Sequence, residues 1–173
     1  MKITLNPMGT IDTEVMEELK ERLRQVFGCP VGIGTGIDSL DHAYDPLQKQ
    51  YLASILIDNI KAAGIAEGEK VLGIADIDLC APSLNFIFGE ADVSSGAAII
   101  SLHRLRQEYY GLQPDKALLI DRALKEITHE LGHTFGLGHC SNTKCVMHFS
   151  NSLADTDWKQ VAFCNQCRPK LIN

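Results

Sequence analysis

Three histidines and one glutamate share the eleven-residue stretch HELGHTFGLGH, which begins at His129. Residues four apart lie on one face of a helix, so His129 and His133 can point at the same metal ion, with Glu130 close to it. Gly136 can adopt the positive φ that ends a helix and turns the chain back, which lets His139 supply a third nitrogen. Three protein ligands leave the fourth position of a tetrahedral zinc ion open to water. The stretch therefore predicts a catalytic zinc site; the alternative is a helix that carries surface histidines.

Four cysteines follow shortly after these histidines and form two pairs. Cys140 and Cys145 stand in a C-x4-C arrangement, and Cys164 and Cys167 stand in a C-x2-C arrangement. Four thiolates at this spacing are typical of a closed tetrahedral zinc site, which contributes to folding and not to reactivity. We therefore predict a second, structural zinc ion, so that each chain binds two. A redox pair in CNQC and disulfide bonds are the alternatives.

The pattern from His129 to Cys167 resembles that of a known family of zinc peptidases. HExxHxxGxxH is similar to the zinc signature of the metzincin metallopeptidases, and the four cysteines together with Met147 resemble the archaemetzincin branch. The resemblance implies a zinc metallopeptidase whose catalytic zinc is bound by His129, His133 and His139. It also implies that Met147 forms the Met-turn, a sulfur-bearing floor beneath the imidazoles, which is a packing role.

The chemistry that this resemblance implies is hydrolysis of a peptide bond. Zinc brings the pKa of a bound water near neutrality, and Glu130 would take the proton as general base and pass it to the leaving amine. We expect an aminopeptidase-like enzyme or a limited endopeptidase that acts on a peptide or protein. Glu90 and Asp92 could hold the free amine of an aminopeptidase substrate, a suggestion that rests on position alone. The alternatives are a non-catalytic zinc-binding module that binds peptides or a partner, and, least favoured, a redox protein.

Other residues near the motif are left outside the predicted site. His148 follows Met147 and could be a fourth ligand, but three histidines complete a catalytic set, so we expect it outside that set. Tyr109 and Tyr110 precede the metal-binding helix, and we assign neither to stabilisation of the oxyanion.

The composition indicates one globular domain that binds neither nucleic acid nor membrane. The 173 residues suffice to bury about two-thirds of the surface of the unfolded chain. A net charge of −6 argues against nucleic-acid binding, and no apolar stretch is long enough to span a membrane. MKITLNPMGT at the N-terminus lacks the apolar core of a signal peptide, so we expect a cytoplasmic monomer with reduced cysteines.

Hydrophobic periodicity and capping residues predict strands and helices that alternate through the first half of the chain. The predicted elements are a strand at 2–7, a helix from Asp12 or Thr13 to Gly28, a strand at 30–37, a helix from Asp45-Pro46 to Gly64, strands at 70–79, 85–93 and 96–105, a long helix from Pro114-Asp115 to Gly136, and a helix around 157–167. In the last of these, Trp158, Val161 and Phe163 are expected to pack under the sheet.

This order of elements is similar to that of the metzincins and implies their α+β (mixed α/β) fold. Such a fold has a twisted, mostly parallel sheet with an antiparallel edge strand, followed by the active-site helix. The edge strand would be NFIFG at 85–89, lining the cleft, where it can pair with an extended peptide. We expect one catalytic domain over 1–173. Its N-terminal subdomain, 1–136, would include the active-site helix, and its small zinc-stapled C-terminal subdomain, 137–173, would hold the Met-turn and the four cysteines.

Overall fold

A computed structural model describes residues 1–172 of the chain, which fold around a five-stranded sheet. The strands are β1 (Lys2–Met8), β2 (Val31–Ile33), β3 (Tyr44–Asp45), β4 (Gln50–Leu52), β5 (Glu69–Ala75), β6 (Leu79–Cys80), β7 (Gly89–Asp92) and β8 (Ala97–Ser101). The α-helices are α1 (Thr13–Phe27), α2 (Ala53–Ala62), α3 (Lys116–Thr134) and α4 (Leu153–Trp158). Short 3-10 helices cover Asp41–Ala43, His103–Leu105, Gln107–Tyr110 and Arg168–Ile172.

The central sheet has the strand order β2-β1-β5-β8-β7. The first four of these strands are parallel, and β7 runs antiparallel to β8 at one edge. Parallel strands are covered on both faces and therefore read as apolar runs, and every residue of β8 is buried. Strands β3, β4 and β6 form a small second sheet. The predicted mostly parallel sheet with an antiparallel edge strand is confirmed.

Helices cover both faces of the central sheet and create two separate cores. Ile100 of β8 belongs to the core that includes α1 and α3, and its neighbour Ile99 belongs to the core that includes α2. Successive residues of a strand point to opposite faces, which explains this division. A third, smaller cluster includes Leu137, Val146 and Met147 and lies in the chain after α3. The helix that carries the HELGH motif is thus anchored in the first core.

The two helices of the first core begin as their sequences predict. Asp12 caps α1 by accepting the N–H of Glu14, and Gly28 ends the helix in the left-handed conformation with a φ of 64°. Asp115 caps α3 by accepting the N–H of Leu118 at 2.9 Å. Both aspartates satisfy backbone N–H groups that have no partner inside the helix. Among the described residues, no helix combines the length and the apolar character that crossing a membrane requires.

The predicted start of the second helix is wrong. Asp45 and Pro46 open the turn between β3 and β4, and α2 begins only at Ala53. The Asp45 carboxylate accepts the N–H of Leu47 at 2.8 Å, which is how an aspartate closes a turn. Aspartate favours turns and helix N-termini through the same hydrogen bond, so the sequence pattern did not separate the two.

The strand predicted at 85–93 is shorter in the structure. Only Gly89–Asp92 forms β7, and residues 85–88 have irregular backbone. Ile87 N–H still donates to the Leu79 carbonyl, and the Phe88 carbonyl accepts the N–H of a β8 residue. The segment is therefore hydrogen-bonded to β6 of the small sheet and to β8 of the central sheet, without forming a regular ladder with either.

The helix predicted around 157–167 is not formed. The last α-helix, α4, ends at Trp158, which is 60% exposed and does not pack under the sheet. Val161 packs against the first core, under the sheet as expected, whereas Phe163 packs against the third cluster, in the chain after α3. The backbone N–H of Gln160 donates to the Lys144 carbonyl, in the loop between Cys140 and Cys145. This pairing with the loop replaces the hydrogen bonds that a helix would need.

Candidate metal centre

The C-terminal end of α3 and the loop after it bring three histidines together. His129 and His133 lie one turn apart on α3, His139 lies in the loop, and their ring nitrogens are within 4.8 Å of one another. The chain turns at Gly136, which has a φ of 81°. Its N–H donates to the His133 carbonyl at 2.8 Å. The three predicted ligands therefore form one group that could hold a metal ion.

The backbone holds the second ring nitrogen of two of these histidines. His129 Nδ1 lies 2.8 Å from the Val146 oxygen, and His133 Nδ1 lies 2.7 Å from the Leu137 oxygen. A carbonyl only accepts, so both Nδ1 atoms carry the proton and both Nε2 atoms present a lone pair. The two Nε2 atoms are 3.1 Å apart, near the roughly 3.4 Å edge of a tetrahedron whose zinc–nitrogen bonds are about 2.1 Å. The two Nε2 lone pairs face each other with no proton between them, an arrangement that a bound cation would stabilise.

The surroundings of the three imidazoles favour the neutral form. Burial lowers the pKa of His129 well below the usual value, and partial burial also lowers the pKa of His133 and of His139, although His139 is the most exposed of the three. The positive charge of Lys159, whose side chain is fully buried, acts in the same direction on all three. A histidine binds zinc as the neutral imidazole, so these electrostatics suit metal binding.

Glu130 lies beside the histidine group with only 5% of its surface exposed. Burial raises the pKa of its carboxyl well above the usual value, and the nearby Glu126 carboxylate acts in the same direction. The positive charge of Lys159 opposes both effects. A carboxylate that holds a proton more readily than usual is suited to general base catalysis near neutral pH.

Gly89, the first residue of β7, packs directly against Glu130. A Cβ at this position would lie 2.7 Å from Glu130 Cγ and 2.7 Å from the Ile99 oxygen. Only glycine lets the edge strand pass this close to the glutamate. Gly89 is not among the site residues predicted from the sequence. The one available signal was a glycine inside a strand-like apolar run, which often marks a close approach of another group.

A cavity of about 240 Å³ opens beside Glu130. The segment 84–89 forms one wall, α3 forms another with Glu126, His129 and Glu130, and Phe149 completes the lining on a third side. The NFIFG segment thus lines the cleft as expected, although most of it is not a strand. The cavity joins the histidine group to a space lined by aromatic and aliphatic side chains and by polar ones, among them Asn85, Ser150 and Asn151.

Met147 packs against α3 between two of the histidines. Its side chain is fully buried, and its sulfur fills the space left by Gly132, which lies between His129 and His133 in the helix. The Met147 carbonyl accepts the N–H of Cys140 at 2.9 Å. Its side chain therefore supports the histidine group by packing.

The four cysteines of the C-terminal segment form the second group. Their sulfur atoms lie within 4.8 Å of one another, and each cysteine in the chain, all of them within the described residues, has a free thiol. Cys140 Sγ and Cys164 Sγ are 3.8 Å apart, which is too long for a disulfide bond. It matches the edge, about 3.8 Å, of a tetrahedron of thiolates bound to zinc at about 2.3 Å.

The thiols of this group differ in acidity. Hydrogen bonds to Cys164 from the backbone N–H of Gln166, and more weakly from that of Cys167, lower the pKa of Cys164 to about 6. Burial raises the pKa of Cys145 and of Cys167. A metal ion in the group would supply the positive charge that the buried thiolates need.

Adjacent residues connect the two groups. Cys145 belongs to the thiol group, and the carbonyl of the next residue, Val146, accepts the hydrogen bond that orients His129. His148 Nδ1 bonds to the Cys140 carbonyl at 2.9 Å. In the described part of the chain His148 belongs to neither group, in agreement with the sequence analysis.

The structure does not bring Glu90 and Asp92 to the histidines. In β7 they lie opposite Ile99 and Ala97, whose side chains belong to the core on the α2 side of the sheet. Asp92 forms an ion pair there with Lys61 of α2 at 3.2 Å. Asp92 is therefore paired away from the site, because alternate residues of β7 face away from α3, whereas the charge of Glu90 still contributes to raising the pKa of Glu130. That these acids hold a substrate amine stays a prediction that the structure does not support.

Tyr109 and Tyr110 make local contacts away from the cavity. The Tyr110 hydroxyl donates to the Arg104 carbonyl at 3.0 Å, and the Tyr109 ring packs edge to face on His103. Neither tyrosine is part of the cavity lining that includes Glu130.

Comparison with known proteins places these features in a family. The model of peptidase family M54 matches residues 10–173. An archaemetzincin from Pyrococcus furiosus is 45% identical over an alignment of length 182, which covers 98% of this chain and 91% of that protein. An archaemetzincin from Methanocaldococcus jannaschii is 41% identical over 171 residues, which cover 99% of this chain and 93% of that protein.

Solved structures agree with the sequence comparison. The crystal structure of a zinc-dependent peptidase from Methanocorpusculum labreanum superposes with a TM-score of 0.91 at 34% identity, covering 98% of this chain and 99% of the other. An archaemetzincin from Methanopyrus kandleri gives a TM-score of 0.85 at 38% identity, with 99% and 93% covered. An archaemetzincin from Archaeoglobus fulgidus, crystallised with malonate, gives 0.82 at 34% identity, with 98% and 99% covered.

Proposed function

Because this chain belongs to peptidase family M54 and is a zinc metallopeptidase, we propose that Glu130 is the general base of peptide hydrolysis. We further propose that His129, His133 and His139 hold the catalytic zinc ion. The observation that carries both proposals is the convergence of two Nε2 lone pairs, 3.1 Å apart, beside a buried carboxylate. The non-catalytic module is less favoured, because a binding protein has no need of a base beside a zinc ion with an open position.

The residues of the chain have distinct tasks in this reaction. Zinc, when bound, supplies a polarised water of near-neutral pKa and a Lewis acid for the peptide carbonyl. Glu130 takes a proton from the attacking water and returns it to the leaving amine nitrogen. The carbonyls of Val146 and Leu137 orient the rings of His129 and His133.

The substrate would bind as an extended peptide along β7. This is the last strand of the central sheet, so one side of its backbone has no partner strand in the described part of the chain. Gly89 at its start packs on Glu130, so a peptide that pairs with β7 would pass the base. The acids suggested for an aminopeptidase face α2. We therefore favour a limited endopeptidase over an aminopeptidase-like enzyme.

A second zinc ion would be bound by the thiols of Cys140, Cys145, Cys164 and Cys167, which gives two zinc ions per chain. It would staple residues 137–173 into a C-terminal subdomain next to the N-terminal subdomain at 1–136. The third apolar cluster, which is built only from residues after Gly136, supports this division. That the protein is a cytoplasmic monomer that binds neither nucleic acid nor membrane stays a prediction.

Metal analysis combined with digestion of a peptide library tests the proposed function. We expect two zinc ions in both wild type and Glu130→Gln, and a loss of cleavage in the variant of about 10²–10⁴-fold. Equal cleavage by the two proteins would assign the activity to another residue or to a contaminant. Full zinc binding without any cleavage by wild type would favour the non-catalytic peptide-binding module.

A further inference from the structure

We propose that the cavity beside Glu130 seats a tyrosine side chain of the peptide substrate, with the tyrosine hydroxyl donating a hydrogen bond to Glu126. The proposal rests on the proposed peptidase function and names the side chain that the enzyme selects. It follows from the spacing of two glutamates, from the size and walls of the cavity, and from the charges at its far end.

Glu126 and Glu130 lie on the same side of α3 and both line the cavity. Their separation of four residues corresponds to about 6 Å along the helix axis. Glu130 lies where the peptide bond would react, and Glu126 lies one turn nearer the start of the helix. An aromatic side chain whose backbone is held at Glu130 is long enough to span this turn.

The cavity has the size and the walls of an aromatic pocket. Its volume of about 240 Å³ exceeds the roughly 150 Å³ of an engineered apolar cavity that binds benzene. The surplus leaves room for a polar group on the ring. Phe86 and Phe88 contribute to one wall, with ring centroids 5.3 Å apart in an edge-to-face arrangement. Phe149 also lines the cavity and packs on His139 at 4.9 Å, so the pocket is continuous with the histidine group.

Glu126 places a buried, charged hydrogen-bond acceptor in the pocket, whose lining also includes the neutral polar side chains of Asn85, Ser150 and Asn151. It is 3% exposed, and its Oε1 lies 3.0 Å from Nζ of Lys159, which is fully buried. This contact is an ion pair and not an aligned hydrogen bond, because Nζ has no acceptor in hydrogen-bond geometry within residues 1–172. Thr156 Oγ1 also donates to Oε1, at 2.9 Å. Both partners contact Oε1, which leaves Oε2 as an acceptor without a protein donor among the described residues.

The charges around Glu126 favour a neutral donor over a basic side chain. Lys159 already balances the Glu126 carboxylate, and a cation at the histidines would add further positive charge nearby. A lysine or arginine of the substrate would lose its water beside both of these charges. A phenol brings one neutral O–H donor, whereas phenylalanine would leave the acceptor unpaired, and such a mismatch lowers affinity.

Binding of small probes to the zinc-loaded wild-type protein tests the pocket independently of hydrolysis. The probes are N-acetyl-tyrosinamide, N-acetyl-phenylalaninamide and N-acetyl-argininamide, with dissociation constants measured by calorimetry. We expect the tyrosine amide to bind roughly tenfold more tightly than the phenylalanine amide, and more tightly than the arginine amide. Equal binding of the two aromatic amides, tightest binding of the arginine amide, or no binding of any probe would overturn the proposal.

The double variant Glu126→Met/Lys159→Met removes the acceptor without leaving a buried charge unpaired. We expect it to bind the phenylalanine amide as wild type does and to lose the preference for the tyrosine amide. Retained binding of the phenylalanine amide shows that the pocket is folded, so loss of the preference then reports on Glu126. A preference that survives in the double variant would place the hydroxyl elsewhere and overturn the proposal.

Cleavage assays separate a failure of this inference from a failure of the proposed function. A peptide that wild type cleaves is compared in versions with tyrosine or phenylalanine on either side of the scissile bond. A higher kcat/KM for tyrosine at one of these positions, lost in the double variant, supports the proposal. Cleavage without such a preference overturns the pocket assignment and leaves hydrolysis intact. Tyrosine-selective probe binding without any cleavage overturns the proposed function and leaves the pocket assignment intact.

Discussion

Gly132 and Met147 meet where α3 packs against the loop that follows it. A Cβ on Gly132 would overlap Met147 Sδ and would lie 3.0 Å from Met147 Cε. Gly132 lies in the helix between His129 and His133. The sulfur therefore reaches the helix between the two histidines only because position 132 has no side chain.

Gly132→Ala should lower both stability and zinc affinity. The added methyl group overpacks a buried contact, which typically costs about 1–3 kcal/mol, while the gain in helix propensity returns at most about 1 kcal/mol. Methionine is flexible, so Met147 would shift and disturb the packing beneath the histidines. Urea unfolding and zinc titration at the histidine site measure the two effects.

Gly138→Ala is the matched control for this substitution. Gly138 lies in the loop that follows α3, next to His139, and a Cβ there would meet no atom within 4 Å. We expect a change in the free energy of unfolding of no more than about 0.5 kcal/mol. Similar behaviour of the two variants would show that the contact between Gly132 and Met147 does not support the site.

Neutralising one member of the Glu126–Lys159 pair should destabilise the protein more than neutralising both. The two side chains are buried with 3.0 Å between Nζ and Oε1, so a single change leaves the other charge without a partner. We expect Lys159→Met and Glu126→Met each to lower the free energy of unfolding by about 3–5 kcal/mol. The double variant should recover most of this loss. Urea unfolding of the four proteins measures the coupling, and simple addition of the two losses would contradict it.

Cys164 should be the first cysteine of the second group to react in the metal-free protein. Its pKa is lowered to about 6 by backbone N–H donors, whereas burial raises the pKa of Cys145 and of Cys167. At neutral pH Cys164 is therefore mainly a thiolate, the form that iodoacetamide attacks. A brief reaction followed by mass spectrometry of the peptides identifies the modified residue. Zinc should protect all four thiols; equal labelling with and without a chelator would instead favour a redox role.

Mild acid should destabilise the metal-free protein through its histidines. Burial lowers the pKa of His129, His133 and His139 in the folded state, whereas a histidine in the unfolded chain has a pKa of about 6.5. Below about pH 6.5 the unfolded chain binds protons that the folded chain does not, so the free energy of unfolding decreases as the pH falls. Melting temperatures recorded between about pH 7.5 and pH 5.5 should fall accordingly.

A His129→Gln variant separates the histidine contribution from that of Cys164. The lowered pKa of Cys164 changes stability in the same direction, because its thiolate is lost as the pH falls through about 6. His129 is the most deeply buried of the three histidines, so its replacement should weaken the dependence of the melting temperature on pH. An unchanged dependence in the variant would contradict the prediction.

The parts of the site that depend on local spacing were predictable from the sequence. A helix fixes the relative direction of residues four apart, so spacing alone places His129 and His133 on one face. The turn at Gly136 and the two cysteine pairs are likewise local features. The apolar runs predicted strands, whereas their mostly parallel arrangement was implied by the resemblance to the metzincins; the burial of such strands on both faces agrees with the lack of polar alternation in these runs.

The parts that depend on packing between distant segments were not predictable. Lys159 lies in a segment expected to be a helix, and its burial beside Glu126 results from the packing of that segment on α3. The contact of Gly89 with Glu130 depends on where the edge of the sheet meets α3. Glu126 did carry a readable signal, since it precedes Glu130 by four residues and must share its side of the helix.

Cys145 and Val146 are neighbours in the chain, yet one contributes to the sulfur group and the other orients an imidazole. An oxidant that converts Cys164 to a sulfenic acid would open the sulfur group and free the backbone around Cys145. The His129 ring would then lose the hydrogen bond that orients it, although His129 itself would not be chemically modified. Peroxide would thus inactivate the histidine site indirectly, by oxidising the cysteine group. A thiol reductant and added zinc should restore activity, because the histidines are not modified.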